Sequence, residues 1–246
     1  MAQRNVALIQ ARVSSNRFPG KVLADLGGKP MILSMFDRVA AAQRLDDFVL
    51  VTSNDASDDR LVETVLASGH KVFRGSLNNV LDRFACAARA YPADNYVRLT
   101  GDCPLVDPSI VDRVIALLAD ENIDYASNID PPSFADGLDV EAFRSQVLAR
   151  AHAEAVDLFA REHVTSWMRS EAAAVRRANL ISVIDSSHLR LTVDYPDDLD
   201  EVRAIVSALG NDPGKSDHFA ILRYLDSRGA LAQRNSHERN EALNQS

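Results

Sequence analysis

The sequence has little with which to build a secreted, membrane-spanning or zinc-held protein. Its 246 residues include two cysteines, Cys86 and Cys103, and neither stands in a C-x-x-C pair. No disulfide framework is implied. No apolar run approaches the ~20 residues needed to cross a bilayer. The N-terminus carries no apolar segment of signal-peptide type. The expectation is a reduced, cytoplasmic chain without a membrane partner. Positive charge is also in deficit: 27 Lys and Arg stand against 35 Asp and Glu, a formal net charge of −8. That balance argues against a general binder of nucleic acid or anionic lipid. A G-x-x-x-x-G-K-[ST] phosphate loop, a G-x-S-x-G nucleophile turn and a His/Cys cluster of metal-ligand spacing are all missing.

Against this acidic background one basic segment stands out, Arg12-Val13-Ser14-Ser15-Asn16-Arg17-Phe18-Pro19-Gly20-Lys21. It follows an apolar run, Val6–Ile9, that reads as a buried strand. Ligands of open α/β sheets bind just past the carboxyl ends of strands. Such a loop can hold a polyphosphate: Gly20 lets the backbone approach, backbone N–H groups can form an anion nest, and Ser15 adds a hydroxyl. Lys21 supplies a compact charge, while Arg12 and Arg17 supply forked donors. A solvated basic loop is the alternative reading.

The first half of the chain alternates strand and helix. Strands are expected at 6–9, 48–52, 72–73 and 96–99, and helices from Pro30, over 58–66, over 80–90 and from Pro108. This alternation predicts a mostly parallel sheet with helices on both faces. The second half is less regular. Strands are expected at 124–127, at 138–143 with one face half-solvated, at Val175, at 180–184 and at 189–193. Helices are expected from a Ser145 cap to about Phe159, over 162–169, over 196–209 and over 217–225. We read one domain over 1–228, with an inserted arm at 128–170, and a polar tail at 229–246.

Asp102 lies in Leu99-Thr100-Gly101-Asp102-Cys103-Pro104, at the end of the fourth strand. A carboxylate beside a phosphate loop suits Mg²⁺, which takes one or two protein carboxylates and completes its shell with phosphate and water. A turn residue is the alternative, with Asp107 as the nearer cap for the Pro108 helix. Asp194 follows Leu191-Thr192-Val193 and could share the metal, or cap the Pro196 helix. Asp197 and Asp198 are expected only to complement that helix's dipole. The acidic set Asp136, Asp139 and Glu141 could meet a polar substrate, orient a neighbouring Arg, or line the solvent face of a strand. Arg144, His163 and Arg169 are candidate contacts for an anionic substrate, although a lone His on a helix is commonly structural.

In order along the chain, Arg12-x-x-Ser15-x-Arg17-x-Pro19-Gly20-Lys21, Gly28-Lys29-Pro30-Met31, Gly101-Asp102-x-Pro104-Leu105, Asp136-Gly137-Leu138-Asp139-Val140-Glu141 and Leu191-Thr192-Val193-Asp194 resemble the cytidylyltransferases that make CMP-activated sugar acids. These are the CMP-Kdo and CMP-sialic acid synthetases. The spore coat polysaccharide biosynthesis protein F branch is the nearest in look, and it shares the stretch from Phe73-Arg74-Gly75-Ser76 to Phe84. The resemblance covers residues 5–225. It implies a GT-A-like, Rossmann-like α/β nucleotidyltransferase that uses CTP, Mg²⁺ and an acidic small-molecule acceptor, as a homodimer and in polysaccharide biosynthesis. By position, Arg12 and Lys21 would hold the triphosphate, Asp102 and Asp194 the Mg²⁺, and Arg74 would lie near the base or ribose. One departure is plain: Kdo-type synthetases place Gln before the Gly-Asp pair, where it reads cytosine, and this chain has Thr100.

Two other classes fit part of this pattern. A sugar-nucleotide-dependent glycosyltransferase would also hold a divalent ion on an Asp, but its diphosphate donor makes less use of the Arg12–Lys21 loop. A non-catalytic nucleotide-binding protein would bind CTP without turnover.

Overall fold

Successive residues of a strand face opposite ways, and the first strand shows what that does here. Val6 and Leu8 enter one apolar core, while Ala7 and Ile9 enter another on the far side of the sheet. The chain is described by a computed structural model over residues 3–230. The tail expected at 229–246 therefore lies almost wholly outside the described residues.

Seven strands are found among the described residues: β1 (Asn5–Gln10), β2 (Asp47–Ser53), β3 (Lys71–Gly75), β4 (Asn95–Thr100), β5 (Tyr125–Ser127), β6 (Glu141–Arg144) and β7 (Arg177–Asn179). They form one open sheet in the order β3-β2-β1-β4-β6-β5-β7. β3, β2, β1 and β4 are parallel. β6 runs against both β4 and β5, and β7 is parallel to β5. The expected mostly parallel sheet is present.

The helices are α1 (Met31–Val39), α2 (Asp59–Ala67), α3 (Val80–Ala90), α4 (Pro108–Leu117), α5 (Ser145–Glu154), α6 (Leu158–Glu162), α7 (Ser166–Arg169), α8 (Pro196–Leu209) and α9 (His218–Ser227). α1, α2, α4, α8 and α9 cover one face of the sheet, and α3 with α5, α6 and α7 covers the other. Helix starts follow side-chain chemistry. Asn79, Asp107, Asp157 and Asp217 each accept a backbone N–H from the first turn of α3, α4, α6 and α9.

Several expectations for the second half are corrected. The helix from Ser145 stops at Glu154, because Asp157 accepts the Ala160 N–H and starts a new helix, α6. The helix expected over 162–169 is two pieces, since Val164 takes a left-handed φ of 47° between α6 and α7. β6 is not half-solvated; it sits inside the sheet with Glu141 buried. The strand expected at Val175 begins at Arg177. Residues 180–184 form no strand and leave Ile181, Val183 and Ile184 exposed, because their would-be neighbour β5 ends at Ser127. Residues 189–193 make only an isolated parallel pairing, Arg190 with Asp136.

That last pairing brings Gly137 hard against the segment carrying Asp194. Gly137 has φ +102°, and a Cβ there would lie 2.6 Å from Leu191 C and 2.6 Å from Thr192 N, both backbone atoms. Gly137→Ala should therefore destabilise the protein by about 2–5 kcal/mol, read as a lower denaturant midpoint with unchanged slope. A midpoint equal to wild type would show that this approach is looser than described.

Candidate active site

The sheet order reverses between β1 and β4. From β1 the chain steps outward to β2 and β3, then returns to place β4 on β1's other side. Such a switch point leaves a crevice outside the strand ends. Here it holds a cleft of about 620 Å³, whose lining includes Gln10, Ala11 and Arg12 after β1 and Thr100, Gly101 and Asp102 after β4. The two walls are joined by the Gly101 N–H, which donates to Gln10 O at 2.8 Å. A Cβ on Gly101 would lie 2.7 Å from the Cβ of Ala11.

Three distant segments meet at the Lys21 ammonium. It donates to Asp102 Oδ2 at 3.1 Å, to Asp194 Oδ1 at 2.8 Å and to Val193 O at 2.7 Å. The residue is only 6% exposed. The backbone fixes the same approach: Asp102 O accepts the Val193 N–H at 2.8 Å and the Thr192 hydroxyl at 3.2 Å. Burial works against charge on all three groups, and their mutual attraction outweighs it. Both carboxyls lie below the ordinary aspartate value, Asp194 far below it, and the ammonium lies above the ordinary lysine value.

The two aspartates differ in what remains open. Asp194 is saturated with cations: Oδ1 also meets Arg17 Nη2 at 2.6 Å, and Oδ2 accepts from Arg190 at 2.6 Å. Asp102 Oδ1 accepts from the Cys103 thiol at 3.6 Å, the Thr100 side chain also supports this carboxylate, and the Asp102 side chain is 30% exposed. Among the described residues no group of three or more His, Cys, Asp or Glu gathers as a metal site. Two ionised carboxylates converging on one cation, one of them partly exposed to the cleft, are a donor set that fits Mg²⁺.

The basic loop is more tied down than its sequence suggests. The Val13 N–H goes to Asp58 Oδ1 at 2.7 Å, and those of Ser15, Gly20 and Lys21 close bonds inside the loop. Those four N–H groups are not available to an anion nest. Gly20 does not line the cleft; its φ of +77° serves the turn into the Lys21–Leu23 helical turn. Arg17 pairs with Asp194, with its guanidinium 5.4 Å from the centre of the Tyr195 ring. Arg12 is exposed, lines the cleft and has no ion-pair partner among the described residues.

Of the other expected residues, Ser15, Thr100, Asp136, Asp139, Glu141, His163 and Arg169 all line this cleft. Arg74 does not. Its Nε donates to Ser53 O, its Nη2 donates to Asp55 O and its Nη1 pairs with Asp59, so it fastens the end of β3 to the turn after β2. Glu141 is buried, accepting from Arg98 at 2.5 Å and from the Tyr125 hydroxyl at 2.6 Å. Burial would raise its carboxyl, but Arg98 and Arg169 hold it below the usual range. Burial lowers His163, which keeps the ring neutral at neutral pH. Asp198 does more than complement a dipole: it accepts the N–H groups of Asp194 and Tyr195 and pairs with Arg190.

Sequence reasoning missed Arg98, Arg190 and Asp58. The first two had a signal, a cation inside an apolar run (Tyr96-Val97-Arg98-Leu99 and Leu189-Arg190-Leu191). Arg190 is buried and ties together Asp136, Asp194 and Asp198. Asp58 was read only as a helix start. It is fully buried and also accepts from Thr52 and Ser53, anchoring the basic loop to the end of β2.

A family model described as cytidylyltransferase matches residues 6–224. The chain belongs to the cytidylyltransferase family and is an enzyme of that kind. The spore coat polysaccharide biosynthesis protein SpsF of Bacillus subtilis is 33% identical over 215 residues, covering 85% of this chain and 89% of that protein. A 3-deoxy-manno-octulosonate cytidylyltransferase of Geobacter sulfurreducens is 39% identical over 116 residues, 46% of this chain and 45% of that protein. Among solved structures, a cytidylyltransferase from Leptospira borgpetersenii superposes with a TM-score of 0.88 at 27% identity, over 96% of this chain and 100% of that one.

The Lys21 junction yields a pH prediction for this cytidylyltransferase. Depressed carboxyls stabilise above their unfolded value of 3.8 and lose that contribution as pH falls. A raised ammonium stabilises below its unfolded value of 10.5 and loses it as pH rises. Lys21→Met should therefore cost about 3 kcal/mol at neutral pH. The gap in melting temperature to wild type should shrink as pH falls below that carboxylate value. A gap independent of pH would show that the junction is not electrostatic.

Proposed function

We propose that the protein moves CMP from CTP to an acidic sugar, or a related acidic acceptor, with release of pyrophosphate, in the biosynthesis of a surface polysaccharide or glycoconjugate. The observation that carries this reading is the convergence on one cleft, at the sheet's switch point, of two ionised aspartates and an arginine with no ion-pair partner among the described residues. The family and the SpsF and 3-deoxy-manno-octulosonate cytidylyltransferase relatives support the donor and the kind of acceptor.

In this reading the acceptor oxygen attacks the α-phosphorus in line, the bond to the bridging oxygen breaks, and pyrophosphate leaves. The protein contributes alignment and charge rather than a covalent intermediate. Arg12 is free to hold the triphosphate, and Ser15 lies beside it on the cleft wall. Lys21 holds the two carboxylates side by side and offsets their repulsion. Asp102, with Asp194 beside it, would hold Mg²⁺, which when bound supplies charge neutralisation at the phosphate being attacked. Arg17 and Arg190 keep Asp194 ionised and in place. An attacking oxygen that arrives ionised needs no proton acceptor from the chain.

The test is a screen of the four nucleoside triphosphates against acidic sugars and phosphonates, reading pyrophosphate. CTP with an acidic acceptor should give product, with no sugar nucleotide required. Arg12→Ala should melt like wild type and lose about 10²–10³ in kcat. If Arg12→Ala and Asp102→Asn both turn over at near wild-type rates, the site is misassigned.

A further inference from the structure

In the cleft wall beside Gln10, two guanidinium groups act on a single carboxylate. Arg98 reaches in from β4, and Arg169 from the last residue of α7. Between them lies Glu141, which feels both. Both Glu141 oxygens are already taken, one by Arg98 Nη1 and the other by the Tyr125 hydroxyl. Arg98 Nη2 makes one long bond, 3.4 Å, to Gln10. The Nε–H of Arg98 and the Nε–H of Arg169 are both buried, and neither has a hydrogen-bond partner. A buried donor left unpaired costs about 1–3 kcal/mol, and native proteins rarely keep one without a use for it.

Among the described residues no ion pair beyond Arg98–Glu141 answers this charge, although Arg98 also feels Asp102. His163 faces the same two arginines as a neutral ring. Asp136 pairs with Arg190, and Asp102 with Lys21. The turn between α6 and α7 is itself held in an unfavourable shape. Val164 is fully buried at φ 47°, a conformation that a β-branched residue rarely adopts. Its neighbours on either side, His163 and Thr165, both line the cleft. Strain of this kind persists where packing over-determines it, commonly beside a ligand.

We infer that Arg98 and Arg169 form an acid-recognition corner, in which two unpartnered guanidinium N–H groups take one singly charged carboxylate of the acceptor. This deepens the proposed function and rests on its acidic acceptor. Glu141 balances one of the two cations and orients Arg98, so the corner accepts one negative charge. Arg98 and Arg169 thereby select acids over neutral sugars, while Arg12 and the Asp102–Asp194 pair serve the donor.

The experiment uses the full chain, ¹⁵N-labelled at arginine, with Arg98→Lys and Arg169→Lys as assignment and test variants. Lysine keeps the charge beside Glu141 and removes the fork, so folding is preserved and only the geometry changes. Sodium acetate and inorganic phosphate are titrated separately at fixed ionic strength and without nucleotide. Acetate should shift the Nε–H resonances of Arg98 and Arg169, and the shift should survive Arg12→Ala. In the pyrophosphate assay, either lysine variant should raise the acceptor KM by about 10- to 100-fold and leave the CTP KM unchanged. Silence of both resonances toward both anions overturns the corner, as does a response to phosphate alone. Equal changes in the two KM values overturn its assignment to the acceptor. A clear acetate response with no pyrophosphate from any acid would overturn the transferase reading and leave the anion corner standing. Pyrophosphate release with no acetate response and an unaltered acceptor KM would do the reverse.

Discussion

A single buried ammonium holds this site together. Lys21 comes from a loop after the first strand, Asp102 from the end of the fourth, and Asp194 from a segment outside the sheet. Two carboxylates brought this close repel each other strongly away from water. The ammonium converts that repulsion into a cross-link between segments separated by 81 and 173 residues. The Val193 N–H bond to Asp102 O adds a second, uncharged tie to the same junction. Arg190 then clamps the far side of Asp194, and Asp198 secures the backbone beneath it. Around this junction the charges are satisfied within the chain, and Arg12 on the cleft wall has no ion-pair partner among the described residues.

The division between what the sequence reveals and what it hides follows local and non-local forces. α3 and α8 occupy the residues expected for them, because a capping Asn, a first-turn Pro and a 3.6-residue apolar stripe are local signals. The four parallel strands are equally legible, since each is a short apolar run before a turn. The region from 138 to 193 is not, because there the partner decides. Leu189–Val193 looks like a strand in composition, yet it has one paired residue and is recruited instead to position Asp194. Ile181, Val183 and Ile184 carry strand-forming side chains with no strand to meet them.

The site shows the same split. Arg12, Lys21, Asp102 and Asp194 could be named from spacing and family resemblance, and the structure brings all four to one cleft. What spacing could not supply was their wiring. Lys21 and Arg17 read as free cations in the sequence and are bound to aspartates in the fold. Arg74 read as a nucleotide contact and is consumed by the backbone of a neighbouring turn. Arg98 and Arg190, masked by apolar neighbours in sequence, prove to be the cations around which the acidic residues are arranged.

The reversed direction of β6 has a geometric consequence for the cleft. Parallel strands deliver only the residues that follow them to a common rim. A strand running the other way delivers the residues that precede it and its own first position, as Asp139 and Glu141 show. One wall of the pocket is thus written by chain leaving the sheet and the opposite wall by chain entering it. A change in the loop before β6 can recast one wall of the cleft while the β1 and β4 exits stay as they are.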